Sequence, residues 1–393
     1  MRLTSSRLPL ALAALVCTCL GVASAQTVIE PPGQRRPTPP SVPRVAPLPD
    51  SQWTDVHRQL IAKFAGDGLP GNAFATLLNV PELVEGVMPY TQYLSSESSL
   101  TPRHRELLIL RTAWLHGNPS LWATHAPRAR RAGVTETDLR RIARGPDTSG
   151  WGAFDATLLR LADQLHLNAS ITDATWKALS AEYDQFHLMD AVETVNHFTV
   201  LSLIYNAFGV QPDADSTDRL PSDVPYRVVV PKREPPLPSP RVVAPPGPGI
   251  AVGRTFGSYP ALSQRWGPRQ GFVNRVSKLT PRHREMLILR IGWNCRSEYE
   301  WAQHVGRVGR AREHGLDPVR IAEGPSAAAW DPFEKTLLRV ADELFRDAVV
   351  SDATWRALGE RFDVPLVMSA VMTPSAYRAI SMSLNAYGVP LEP

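Results

Sequence analysis

Two stretches of this chain are nearly one stretch. LTPRHRELLILRTAW, from Leu100 to Trp114, and LTPRHREMLILRIGW, from Leu279 to Trp293, agree at twelve of fifteen positions with an offset of 179. Without a gap, that offset also pairs His125 with His304, Gly145-Pro146 with Gly324-Pro325, and Trp151 with Trp330. It goes on to pair Asp173-Ala174-Thr175-Trp176 with Asp352-Ala353-Thr354-Trp355, and Asn206 with Asn385. Self-similarity at one fixed spacing implies an internal duplication, so whatever the first half folds into, the second is expected to fold into as well. With 393 residues in all, each half is long enough to bury a core of its own.

Proline marks the boundaries. Residues 31–49 hold eight prolines and residues 221–248 hold ten. Such segments cannot donate the hydrogen bonds of a helix and read as extended, solvated spacers. The expected organisation is a leader at 1–25, a proline-rich stalk at 26–50, a first repeat at 51–212, a proline-rich linker at 213–249, and a second repeat at 250–393. The leader has a basic start, an apolar run from Leu8 to Leu20, and Ala23-Ser24-Ala25 before Gln26. That order predicts a signal peptide cleaved after Ala25 and a periplasmic or secreted protein, with no membrane attachment after cleavage. Cys17 and Cys19 would leave with it, so Cys295 would be the one remaining thiol and could form no internal disulfide. The formal net charge is +4, two units of it from Arg2 and Arg7 of the leader, which gives no ground for a nucleic-acid partner.

Both repeats read as helical. Thr101-Pro102 and Thr280-Pro281 have the form of an N-cap followed by proline at the first helical position. Thr172-Asp173 and Ser351-Asp352 open another helix, with an acid near the positive end of its dipole. ATLLRLADQLH and KTLLRVADELF repeat apolar residues at three and four spacing. No series of alternating strands competes, so the expected class is all-α rather than mixed α/β.

The candidate chemistry lies in RSEYEWAQH, Arg296 to His304. On a single helix Ser297, Glu300 and His304 would project together, with Trp301 beside them. A neutral histidine held by a carboxylate can exchange protons near neutral pH. Glu285 precedes four apolar residues, where loss of water would favour a general acid; Glu106 has the same setting in the first repeat. The bland alternatives are a solvated Glu300–His304 contact, and Glu285 paired with Arg284 or Arg290. His104 and His283 are expected to be exposed, and Trp122 and Trp301 to belong to the core. A metal site on Glu300 and His304 would need a further ligand such as Glu285; neither a metal nor a cofactor is expected.

The order RELLILR, W-x-x-H, G-P, W-x-x-F and DATW resembles the carboxymuconolactone decarboxylase family, which shares its fold with alkylhydroperoxidase D. The resemblance spans roughly residues 55–210 and 250–390. It implies two tandem alkylhydroperoxidase D-like helical domains, and a homo-oligomer in which three chains form a pseudo-hexamer. In the peroxidase branch, a glutamate is followed by CxxC and then a histidine. Those places fall on Glu285, Ser297, Glu300 and His304, and in the first repeat on Glu106, Asn118, Leu121 and His125. Both cysteines are missing from each copy, and without a dithiol the peroxidase cycle has neither nucleophile nor resolving thiol.

The resemblance therefore points to the decarboxylase branch: a cofactor-free lyase or isomerase acting on a small organic acid or lactone. Its catalytic candidates are Glu285, Glu300, His304 and Ser297, with Glu106 and His125 as a vestigial site in a degenerate first repeat. Peroxidase activity through Cys295 and a non-catalytic binding role are the alternatives.

Overall fold

Thr101 and Thr280 open their helices in the same way, each hydroxyl accepting from the backbone N–H three residues on at 3.2 Å, with proline directly behind. The computed structural model describes residues 35–66 and 70–392. The leader and Cys17 and Cys19 lie outside the described residues. The first half contains α1 (Asp55–Phe64), α2 (Asn72–Leu77), α3 (Pro81–Gln92), α4 (Pro102–Leu115), α5 (Pro119–Arg131), α6 (Glu136–Arg144), α7 (Ala153–Asn168), α8 (Asp173–Ser180) and α9 (Gln185–Phe208). The second contains α10 (Ala251–Gly257), α11 (Pro260–Gly271), α12 (Pro281–Asn294), α13 (Glu298–Ala302), α14 (Pro318–Glu323), α15 (Pro332–Arg346), α16 (Asp352–Gly359) and α17 (Val364–Tyr387). The fold is all-α, with no strand among the described residues.

α4 and α12 are central. α4 packs against α5, α7 and α9, and α12 against α15 and α17. Each carries a buried arginine: Arg111 grips Asp163 on α7 at 2.6 and 2.9 Å, and Arg290 grips Asp342 on α15 at 2.6 and 3.1 Å. The remaining guanidinium N–H bonds go to carbonyls of Ile142 and Ala143 in one case and Ile321 and Ala322 in the other. A buried charge is tolerable only when paired and fully hydrogen-bonded in this way.

The long helices α9 and α17 pack on each other, and so do α3 and α11. The bounds of α11 and α17 stand 179 residues beyond those of α3 and α9. Like helices thus meet like across the middle of the molecule.

The linker departs from expectation. Residues 213–249 hold no helix or strand, but they are not a solvated spacer: Val224, Tyr226, Val228 and Val242 are buried. The Tyr226 hydroxyl donates to Leu115 O at 2.8 Å, and Arg233 donates to carbonyls of Asn168, Cys295 and Arg296. Proline removes donors but leaves the side chains between prolines free to pack, and its fixed φ means little conformational entropy is lost on docking.

His104 and His283 are half-buried rather than exposed. Each leaves the first turn of its helix to pack on aromatic rings, His104 on Phe154 and Tyr183, His283 on Phe333 and Phe362.

Candidate active site

α12 delivers Glu285 to the core, and α13 delivers Glu300. The helix carrying His304 does not continue as an α-helix: α13 ends at Ala302, and a π turn runs from Gln303 to Arg307. In the first half α5 runs unbroken through His125 to Arg131. A single inserted π turn rotates the following side chain relative to α-helical register.

His304 lies between the two carboxylates. Nδ1 donates to Glu285 Oε2 at 2.6 Å, and Nε2 lies 2.9 Å from Glu300 Oε1. All three are buried, exposed over 3% (Glu285), 5% (Glu300) and 5% (His304) of their surface. Burial alone would pull the imidazole pKa down. The hydrogen bonds from Glu285 and Glu300 outweigh it and push the value up to about 9. An ionised carboxylate only accepts, so a ring flanked by two of them must donate from both nitrogens and carry its charge. The geometry thus favours the charged form of the ring over the neutral histidine expected from the sequence.

Ser297 is not part of this contact. It is the residue before α13, its hydroxyl is buried without a hydrogen-bond partner, and both imidazole nitrogens are engaged elsewhere. Arg284 lies 3.6 Å from Glu285, whereas Arg290 belongs to Asp342. Trp301 is half-buried against Trp293, and Trp122 is core. Among the described residues no group of three or more His, Cys, Asp or Glu side chains is arranged to hold a metal ion.

The first half keeps part of this. His125 Nδ1 contacts Glu106 Oε2 at 2.8 Å, and both are buried. Leu121 stands where Glu300 would be. Asn118 caps α5 through Leu121 N and donates to Asn206 Oδ1, so at that place it serves structure.

One neighbour was missed in the sequence. The ring of Tyr377 meets His304 edge to face, with centroids 5.1 Å apart and planes at 90°; Phe198 meets His125 at 5.1 Å and 85°. The two positions are 179 residues apart, so the comparison that singled out Leu121 and Glu300 also held this pair. Only a hydroxyl separates the two rings, and its partner, Asn274, stands 103 residues away in the chain. Four surface hollows, of about 230, 280, 100 and 430 Å³, are lined by other residues. Gly309 closes over the site, where any Cβ would collide with Glu285 Oε2.

Cys295 is fully buried, and burial pushes its thiol up to about 11. It is the free cysteine of the described residues.

Residues 81–164 match the model of the carboxymuconolactone decarboxylase family, a span that includes Glu106 and His125. One similar solved structure is the alkylhydroperoxidase AhpD core of an uncharacterized peroxidase-related protein from Ralstonia eutropha JMP134. It is 16% identical, with a TM-score of 0.38, over 44% of this chain and 94% of that one. No curated protein sequence matches the chain. The helical domain at residues 81–164 is thus similar to the carboxymuconolactone decarboxylase family.

Proposed function

We propose that the chain is an acid/base enzyme, a lyase or isomerase for a small organic acid or lactone, working through its second half. The observation that carries this is His304 held between Glu285 and Glu300 through both ring nitrogens. An imidazolium beside two carboxylates is a stored proton with two acceptors in reach. When a substrate displaces Glu300 from Nε2, the ring can protonate a carbanion or enolate, and Glu300 can take up the next proton. Glu285 keeps the ring oriented throughout, as a carboxylate does behind a catalytic histidine. In the same proposal the two halves descend from one duplicated unit, and the protein is exported and meets its substrate outside the cytoplasm.

The test is turnover of a panel of lactones and hydroxy acids by the full chain and by Glu300→Gln and His304→Ala. Each substitution is expected to lower kcat by a factor of about 100 or more. Equal turnover in all three proteins would overturn the proposal.

The closed burial of the three groups favours a second reading, a structural ion bridge in a binding protein. There the same substitutions would lower stability, and no compound in the panel would be turned over.

A further inference from the structure

The two ring nitrogens of His304 are both spent on carboxylates, so they hold no substrate oxygen in this state. The carboxylates themselves repel an anionic substrate. A small organic acid must therefore be bound by other donors close to the triad, and two of them meet at one exposed residue, Asn274.

Asn274 is exposed and sits in a π turn, Phe272–Val276, that follows α11. Its side-chain oxygen accepts from the Tyr377 hydroxyl at 2.8 Å, and its backbone oxygen accepts a long bond from Arg284 Nη1 at 3.4 Å. Arg284 also reaches Glu285 at 3.6 Å and keeps a fifth of its side chain exposed. A phenol at the His304 ring and a guanidinium at the Glu285 carboxylate are thus joined to one surface residue. We infer that Tyr377 and Arg284, gathered by Asn274, form the substrate-binding edge of the second-half site, and that they take a carboxylate or enolate oxygen.

Three features support this. The tyrosine hydroxyl is bonded to an exposed amide, so a ligand oxygen can replace Asn274 with little loss, because the amide finds water instead. Burial, reinforced by the nearby Glu300 and Glu285 charges, pushes the phenol well above its ordinary range and keeps it a neutral donor. And the first half lacks the edge: 179 residues earlier stand Ser95 for Asn274 and Phe198 for Tyr377, with an arginine, Arg105, in the remaining place. The hydroxyl and the amide therefore occur together in the half that also has Glu300. A charge-assisted guanidinium with a directed neutral donor is the usual arrangement for a carboxylate.

This edge rests on the second half being the active one, but its test does not use turnover. Succinate, a plain dicarboxylate, is titrated calorimetrically into the full chain, Tyr377→Phe, Arg284→Gln and Asn274→Ser. Tyr377→Phe reproduces the ring of Phe198, so the fold is expected to persist, as near-identical thermal unfolding would show. Succinate is expected to bind the parent. Tyr377→Phe and Arg284→Gln should each weaken binding about tenfold or more, the effect of losing one hydrogen bond to a charged group. Asn274→Ser frees the phenol and should bind at least as tightly as the parent. A parent that binds no succinate, or a Tyr377→Phe protein that binds it equally, overturns the edge even where His304→Ala abolishes turnover. Conversely, weakened binding in Tyr377→Phe with unchanged turnover in His304→Ala keeps the edge and removes the acid/base proposal.

Discussion

Arg241 does for the first half what Arg44 does for the second. Arg44 donates to Val350 O at 2.7 Å, pairs with Asp352 and lies over the Trp355 ring at 5.3 Å. Arg241 donates to Ile171 O at 3.2 Å, pairs with Asp173 and lies over the Trp176 ring at 5.4 Å. The backbone N–H groups of Arg44 and Val45 close the end of α9 at Phe208 O, and those of Arg241 and Val242 close α17 at Tyr387 O. Pro43-Arg44-Val45 and Pro240-Arg241-Val242 are 197 residues apart, not 179. Each proline-rich segment therefore ties the last helix of the half it docks on to the Asp-Ala-Thr-Trp helix of the other.

Arg241→Ala should lower the free energy of unfolding by about 1–3 kcal/mol, because nearly buried carbonyl bonds and ring packing are lost. Asp173→Asn should leave stability unchanged, since Asp173 is 74% exposed and water screens the pair. Urea unfolding of the two variants beside the parent checks this; equal losses would mean that the ion pair, not the carbonyl bonds, holds the segment.

Stability should fall on both sides of neutrality. The His304 pKa rises to about 9 in the fold from an ordinary value of about 6.5. Its contribution is thus complete below about pH 6.5 and is lost as pH rises through 9. His116 has the opposite sign. Burial pulls its pKa to about 3, with His166 also pushed down beside it, so stability drains away as pH falls from about 6.5 towards 3. Urea midpoints measured from acid to alkaline pH should trace both limbs, and His304→Ala should flatten the alkaline one alone.

Much of the helical frame was legible because its signals are local. The Thr-Pro starts at 101 and 280 need only neighbouring residues to act. The site was half legible. The repeat exposed the Glu300–Leu121 difference, but nothing local told that Glu285, from another helix, would occupy the second nitrogen of His304. Together with Glu300, that contact favours the charged ring. The π turn at Gln303 was hidden for a related reason: Gly306 and Gly309 loosen the helix, but the glycines alone do not say where it yields. The linker was misjudged because proline content reports absent donors and says nothing of what Tyr226, Arg233 and Arg241 can reach.

Cys295 should be inert in the folded protein. A fully buried thiol raised to about 11 holds almost no thiolate at neutral pH. Its alkylation by iodoacetamide should proceed only as fast as the protein unfolds, and Cys295→Ser should leave any hydroperoxide consumption unchanged. Rapid labelling of native protein would bring the thiol back into consideration as a reactive group.

Glu300→Leu would rebuild, in the second half, the surroundings that Leu121 gives His125. One of the two acceptors of the imidazolium disappears while the Glu285 bond at 2.6 Å is kept. Burial then opposes the charge with a single carboxylate against it, so the His304 pKa should drop from about 9 towards or below its ordinary value, and Nε2 becomes an acceptor. The His304 ring can be followed by NMR in protein labelled at histidine, with His304→Ala identifying its signals. Glu300→Gln should fall between the two, since the amide keeps the shape but not the charge. If His304 titrated in Glu300→Leu as it does in the parent, Glu285 alone would account for its charge, and the second carboxylate would have no part in the chemistry proposed for this half.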